Sequence, residues 1–100
     1  MKKRFVVCHN PGTVDQDTAF TVWLASRSLG WWHWLTGSWL VVDVSGTLTA
    51  ATLRDAVDAA YPGLYNIVLG VSDGSDWAGF GINGGPQDMF GWMNDTWGKL

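Results

Sequence analysis

One cysteine, no glutamate and only six basic residues set the first limits on this chain of 100 residues. A lone thiol, Cys8, forms no internal disulfide, and its place in an apolar run suits a reducing compartment, so a cytoplasmic protein is expected. No stretch approaches the ~20 apolar residues that a membrane span needs. The basic start Met1-Lys2-Lys3-Arg4 meets only four apolar residues before His9, which predicts neither a signal peptide nor an anchor. Nine aspartates leave a formal charge of −3, and three of the six cations sit at the N-terminus. Gripping a duplex backbone takes a basic stripe that displaces counterions, and none is visible. Two histidines and one cysteine lack any zinc-ligand spacing, and the glycine-rich stretch 70–85 lacks the Gly-Lys-Ser/Thr ending of a phosphate loop. No metal, cofactor or catalytic constellation is expected.

What the chain has in plenty is tryptophan: eight indoles, five of them (Trp23, Trp31, Trp32, Trp34 and Trp39) within seventeen positions. A domain this small exposes much of its surface, so so many rings predict a surplus facing a ligand, a partner or a second copy. Stacking on indoles needs few phosphate contacts, which keeps small nucleotides or a few splayed bases open as ligands.

Along the chain, Arg4–Cys8 reads as a strand closed by Asn10-Pro11-Gly12. Asp15 to Leu29 has helical spacing, with Asp15 or Asp17 as the cap and Gly30 at the C-terminal stop. Two aromatic and β-branched runs, Trp31–Leu35 and Trp39–Val44, flank Thr36-Gly37-Ser38 as a hairpin. Alternation places Trp32 and Trp34 on one face of the first strand, with Trp31, His33 and Leu35 on the other. On the second strand Leu40, Val42 and Val44 oppose Trp39, Val41 and Asp43. A second helix, capped by Thr47 or Thr49, carries a Leu53, Ala56, Val57, Ala60 stripe and stops at Pro62-Gly63, and Leu64–Val71 is a fourth strand. A loop over 72–87, anchored by Trp77 and Phe80 as a lid or dimer arm, leads to a helix from Asp88 bearing Met89, Trp92, Met93 and Trp97. The order β-α-β-β-α-β predicts one α+β domain over 1–100 of ferredoxin-like type: a four-stranded antiparallel sheet with two helices on one face, plus a C-terminal helix.

Candidate ligand-binding residues follow from chemistry and position. His9 and Asn10 end a strand beside an open loop, and His9→Ala should leave stability nearly unchanged if His9 is a site residue. His33, among indoles, can hydrogen-bond a base edge or phosphate. Asp43 interrupts an apolar strand, where a carboxylate needs a cation, a metal or donors. With Trp31, Trp32, Trp34 and Trp39 they form the candidate site. Trp23, Trp92 and Trp97 are expected in the core, and Arg27 on a solvated helix end.

The strip Gly30-Trp31-Trp32-His33-Trp34-Leu35, followed by Thr36-Gly37 and Ser38-Trp39-Leu40-Val41, resembles the tryptophan hairpin of small bacterial and phage proteins termed SinR-like. Asn10-Pro11-Gly12, Ser28-Leu29-Gly30 and Trp77-Ala78-Gly79-Phe80 also resemble that group's pattern. The group is similar in fold to the small CRISPR adaptation subunit, the second CRISPR-associated protein. The resemblance implies a ferredoxin-like homodimer, with metal-dependent nuclease activity in some relatives that carry an aspartate at the end of the first strand. This chain departs there, reading Val7-Cys8-His9-Asn10. The expected function is a non-catalytic, homodimeric binding module for a nucleotide, a cyclic-nucleotide-type signal or a short single strand, in phage or mobile-element defence or counter-defence. The alternatives are a divalent-metal endonuclease of endoribonuclease type, using Asp43, and a protein–protein interaction subunit.

Overall fold

A computed structural model describes residues 2–72, 74, 76–85 and 88–98. Strand β1 (Lys3–His9), helix α1 (Val14–Ser26), strands β2 (Gly30–Leu35) and β3 (Ser38–Asp43), helix α2 (Ala50–Ala60) and strand β4 (Asn66–Val71) follow in the expected order. They form one antiparallel sheet ordered β2-β3-β1-β4, the ferredoxin-like arrangement. The last element among the described residues is a π-helical turn, Met93–Trp97, so the short helix expected from Asp88 starts later than the sequence suggests.

Local chemistry accounts for the element ends. Thr13, not Asp15 or Asp17, caps α1: its hydroxyl accepts from Gln16 N while the Gln16 side chain accepts from Thr13 N, a reciprocal capping box. The helix stops four residues short of Gly30, because Ser28 takes the left-handed turn at φ 55° and Leu29 N then donates back to the Leu24 carbonyl. Of the two threonines expected to cap α2, Thr49 does so. Gly37 has φ 81° in the hairpin turn, and a Cβ there would collide with the His9 carbonyl, so only glycine lets the turn sit against the end of β1.

Each face of the sheet has its own core. Phe5, Val7, Trp39 and Val41 pack beneath Phe20 and Leu24 of α1 and Leu53 and Val57 of α2. The opposite face, through Val6, Trp32, Leu40, Val42 and Val71, is covered by the C-terminal segment with Trp77, Trp92, Met93 and Trp97. That segment is fastened by side chains reaching backbone: Trp32 Nε1 donates to Met89 O at 2.7 Å, Arg4 Nε to Trp97 O at 2.6 Å, and Lys2 Nζ to Thr96 O. Asp88 organises its start, accepting from Phe90 N and Gly91 N, and these backbone bonds hold its carboxyl below the usual range.

Three expectations need correction. Trp39, counted among the surplus rings, is fully enclosed. Phe80, expected to anchor the loop, is wholly exposed, whereas Trp77 is half-buried and stacks on Phe90 at 5.8 Å. Residues 73, 75, 86 and 87 of that loop lie outside the described residues.

Leu35 is the third, and its cause is a β-bulge. Trp32 pairs with Leu40 but Leu35 pairs with Ser38, so His33 and Trp34 together oppose the single residue Trp39. One extra residue reverses the alternation beyond it. Leu35 therefore joins Trp32 and Leu40 on the second face, where all three line one cleft. Trp39→Ala is expected to lower unfolding free energy by about 3–5 kcal/mol, and Trp34→Ala, at a half-open site, by much less. Urea denaturation of both variants checks the difference.

Candidate functional site

The residues proposed from sequence separate into four places. Trp31, Trp32, His33 and Trp34 gather with Trp92 around a shallow depression of about 200 Å³ at the bulge. Trp31 and Trp34 are 40% and 41% exposed there, the most open indoles of the described chain. His9 and Asn10 lie apart from it, with Tyr65 and Asn66 at the far end of β1 and β4. Asp43 sits in a third place, and Trp39 is sealed beneath the helices.

His9 is a structural residue. Its Nδ1 donates to the Asn10 carbonyl at 2.7 Å, and its Nε2 accepts from Trp39 Nε1 at 2.9 Å. An indole N–H only donates, so this pattern assigns the neutral ring with its proton on Nδ1. Both nitrogens are committed, and the ring stacks on Tyr61 at 4.0 Å. With 8% of its surface open, His9 has no free edge for a ligand, and His9→Ala is expected to destabilise rather than be neutral.

His33 belongs to the same construction. Its ring lies flat on Trp39, centroids 3.7 Å apart and 2° from parallel, with Nδ1 donating to Ser38 O at 2.8 Å. Its Nε2 is 3.7 Å from Asp17 Oδ2, and Asp17 Oδ1 accepts from the Tyr61 hydroxyl at 2.5 Å. Trp39, His9, Tyr61, Asp17 and His33 thus close a ring of contacts that ties β3, β1, the end of α2, α1 and β2 together. Sequence reasoning missed Asp17 and Tyr61. Asp17 reads as a helix-start acid and Tyr61 as the last residue before Pro62-Gly63, and neither signal points at the other.

Asp43 organises a loop. Oδ1 accepts from Ser45 N and Ser45 Oγ at 3.0 and 2.6 Å, and Oδ2 from Leu48 N at 2.7 Å. Burial by itself would push this carboxyl up, but those donors outweigh it and hold it below its usual value. A metal at Asp43 would have to displace donors that fix the β3–α2 connection. Among the described residues no group of three His, Cys, Asp or Glu side chains converges as a metal site.

A cleft of about 420 Å³ opens between the second sheet face and the C-terminal segment. Trp32, Trp77, Phe80, Met89 and Phe90 line it, with Asp76 as the one charged side chain among the described residues. Sequence reasoning placed Trp32 in the site and took Trp77 and Phe80 for loop anchors. It could not join them, because no local signal in either stretch shows that the segment folds back across the sheet onto the hairpin. The chain matches no family model, and comparison with curated proteins and with solved structures finds no match.

Two expected outcomes test these assignments. Burial first, then the hydrogen bond to Asp17, raise the Tyr61 pKa, so the neutral hydroxyl is favoured in the folded state. That contribution is complete below about pH 10, the unfolded value, and is lost as pH rises beyond it. Tyr61→Phe should cost about 1–2 kcal/mol at neutral pH and remove that part of the alkaline decline. For Asp43 the sign is opposite: its contribution is complete above the ordinary carboxyl value and is lost as pH falls through the depressed one. The stability gap between wild type and Asp43→Asn should therefore shrink as pH falls below about 4, the ordinary carboxyl value, read from urea midpoints.

Proposed function

We propose that this protein is a non-catalytic binding module that takes a flat, uncharged ring system into the cleft beside the tryptophan hairpin. The observation that carries the reading is the lining of that cleft: Trp32 and aliphatic side chains from the sheet facing aromatic rings and methionines of the C-terminal segment, in a volume within the usual range for small-molecule sites of roughly 300–1,000 Å³. A nucleobase suits such walls, since every base offers a face for stacking. Among the described residues no lysine or arginine lines the cleft. The phosphates of a nucleotide or short single strand would therefore stay in solvent, and Asp76 at the lining disfavours bringing them closer.

The likeness of the Gly30–Val41 hairpin to that of SinR-like proteins supports a nucleotide-related role for the module. A second reading, a protein partner that seats an apolar side chain in the same cleft, is favoured by Phe80, which stands fully exposed where the cleft opens.

Tryptophan fluorescence titrated with adenosine, adenosine monophosphate and a short oligothymidylate tests the reading. Adenosine and its monophosphate should quench with similar midpoints, and binding should vary little with salt, because no phosphate is neutralised. Trp77→Ala should weaken binding by roughly tenfold or more, in line with the ~1–3 kcal/mol of a stacked base. Silence across the panel would overturn the nucleobase reading, and a steep salt dependence would move the ligand out of the cleft.

A further inference from the structure

Three of the four asparagines precede a residue that protects the next backbone nitrogen. Asn10 is followed by Pro11, which has no N–H, Asn66 by the β-branched Ile67 within β4, and Asn94 by Asp95 inside the π-helical turn. Asn83 is followed by Gly84. Glycine leaves its own nitrogen unhindered, and that nitrogen is one five-membered ring closure away from the side-chain carbon Cγ of the asparagine before it.

The loop around this pair is open above and pinned below. Asn83 is exposed, Gly84 and Gly85 have φ values of 86° and 75°, and a Cβ on either glycine would meet nothing within 4 Å. At its base, Met89 N donates to Ile82 O at 2.8 Å and Asp88 N to Gly85 O at 3.3 Å. The Asp88 carboxylate, which accepts from Phe90 N and Gly91 N, also takes a hydrogen bond from Gly84 N–H. The proton that must leave before Gly84 N can attack therefore points at a carboxylate. Phe90 N–H above all, then Gly84 N–H, hold that carboxyl below its usual range, so it is ionised at neutral pH and free to accept a proton.

We propose that Asn83-Gly84 is a self-modification site, at which the folded loop promotes deamidation of Asn83 with Asp88 as the base. Gly84 N attacks Asn83 Cγ and forms the new C–N bond, while Asp88 takes the Gly84 proton and delivers it to Nδ2. The Cγ–Nδ2 bond then breaks and ammonia leaves. Water opens the resulting succinimide at either carbonyl, which leaves aspartate or isoaspartate at position 83. Ammonia is the only leaving group and water the only co-reactant. Either product adds one negative charge to the formal −3 of the chain, and isoaspartate also lengthens the backbone by one carbon. Both changes fall in the short stretch between Phe80 and Met89, two residues that line the cleft.

Mass spectrometry of the peptide containing residue 83, from full-length protein incubated folded or in urea, tests the proposal. Folded wild type should convert severalfold faster than the unfolded chain at neutral pH. Its rate should change little between about pH 6 and 8, because the carboxylate is ionised throughout, whereas the rate of the unfolded chain should climb steeply with hydroxide. Asp88→Asn should lose the advantage and follow the steep profile, and Asn83→Gln, which would need a larger ring, should stay unmodified over the same interval. A folded wild type that stays unmodified, or converts more slowly than the unfolded chain, overturns the proposal, as does an Asp88→Asn variant with the wild-type rate and profile. Should Asp88→Asn fail to fold, the pH profile of folded wild type decides by itself, and one as steep as that of the unfolded chain overturns the role of Asp88.

Discussion

Trp39 is the residue through which the fold is tied together. Its indole N–H fixes the His9 tautomer, its lower face carries His33, and its edge meets Phe20 at 4.9 Å in a near-perpendicular contact. Through His9 and His33 it reaches Tyr61 and Asp17, so one side chain on a central strand sets the positions of both helices and the hairpin. A buried indole with an unpaired N–H is costly, as are buried imidazoles without partners. Here each satisfies the other. No buried side-chain nitrogen or oxygen among the described residues lacks a hydrogen-bond partner.

The bulge makes that arrangement possible and also shapes the opposite face. Two residues opposite Trp39 allow His33 to lie flat upon it, and the same extra residue turns Leu35 over to join Trp32 and Leu40. The tied centre and the apolar cleft are thus two results of a single inserted position. A hairpin of strict alternation would have placed Leu35 with His33 instead.

Much of the architecture was legible because local signals agreed with one another. The element order, the alternation of Trp39, Val41 and Asp43 along β3, and the Thr49 cap could each be read from short windows. The Thr13–Gln16 capping box was equally local, but the aspartates after it offered a competing cap. What escaped reading was non-local. Nothing near Trp39 signals that His9, thirty residues earlier, will accept its N–H. Nothing near the hairpin signals that Trp77, Trp92, Met93 and Trp97 will return to cover its outer face. The count of indoles was a sound warning about surface, but it assumed one core, and this chain divides its rings between two. Of the proposed site residues, Trp31, Trp32, His33 and Trp34 are brought together, while His9, Trp39 and Asp43 hold the scaffold.

The outer layer is joined to the sheet differently from everything else. Strands are laced by ladders and helices by broad apolar stripes, whereas the C-terminal segment rests on indoles and a few side-chain hooks from Lys2, Arg4 and Trp32. The cover of that sheet face therefore depends on a small set of side chains, with Met93 and Trp97 buried against Val42 at its centre. Trp32 is both one of those hooks and a wall of the cleft, so the contact that fastens the layer also shapes the opening beneath it.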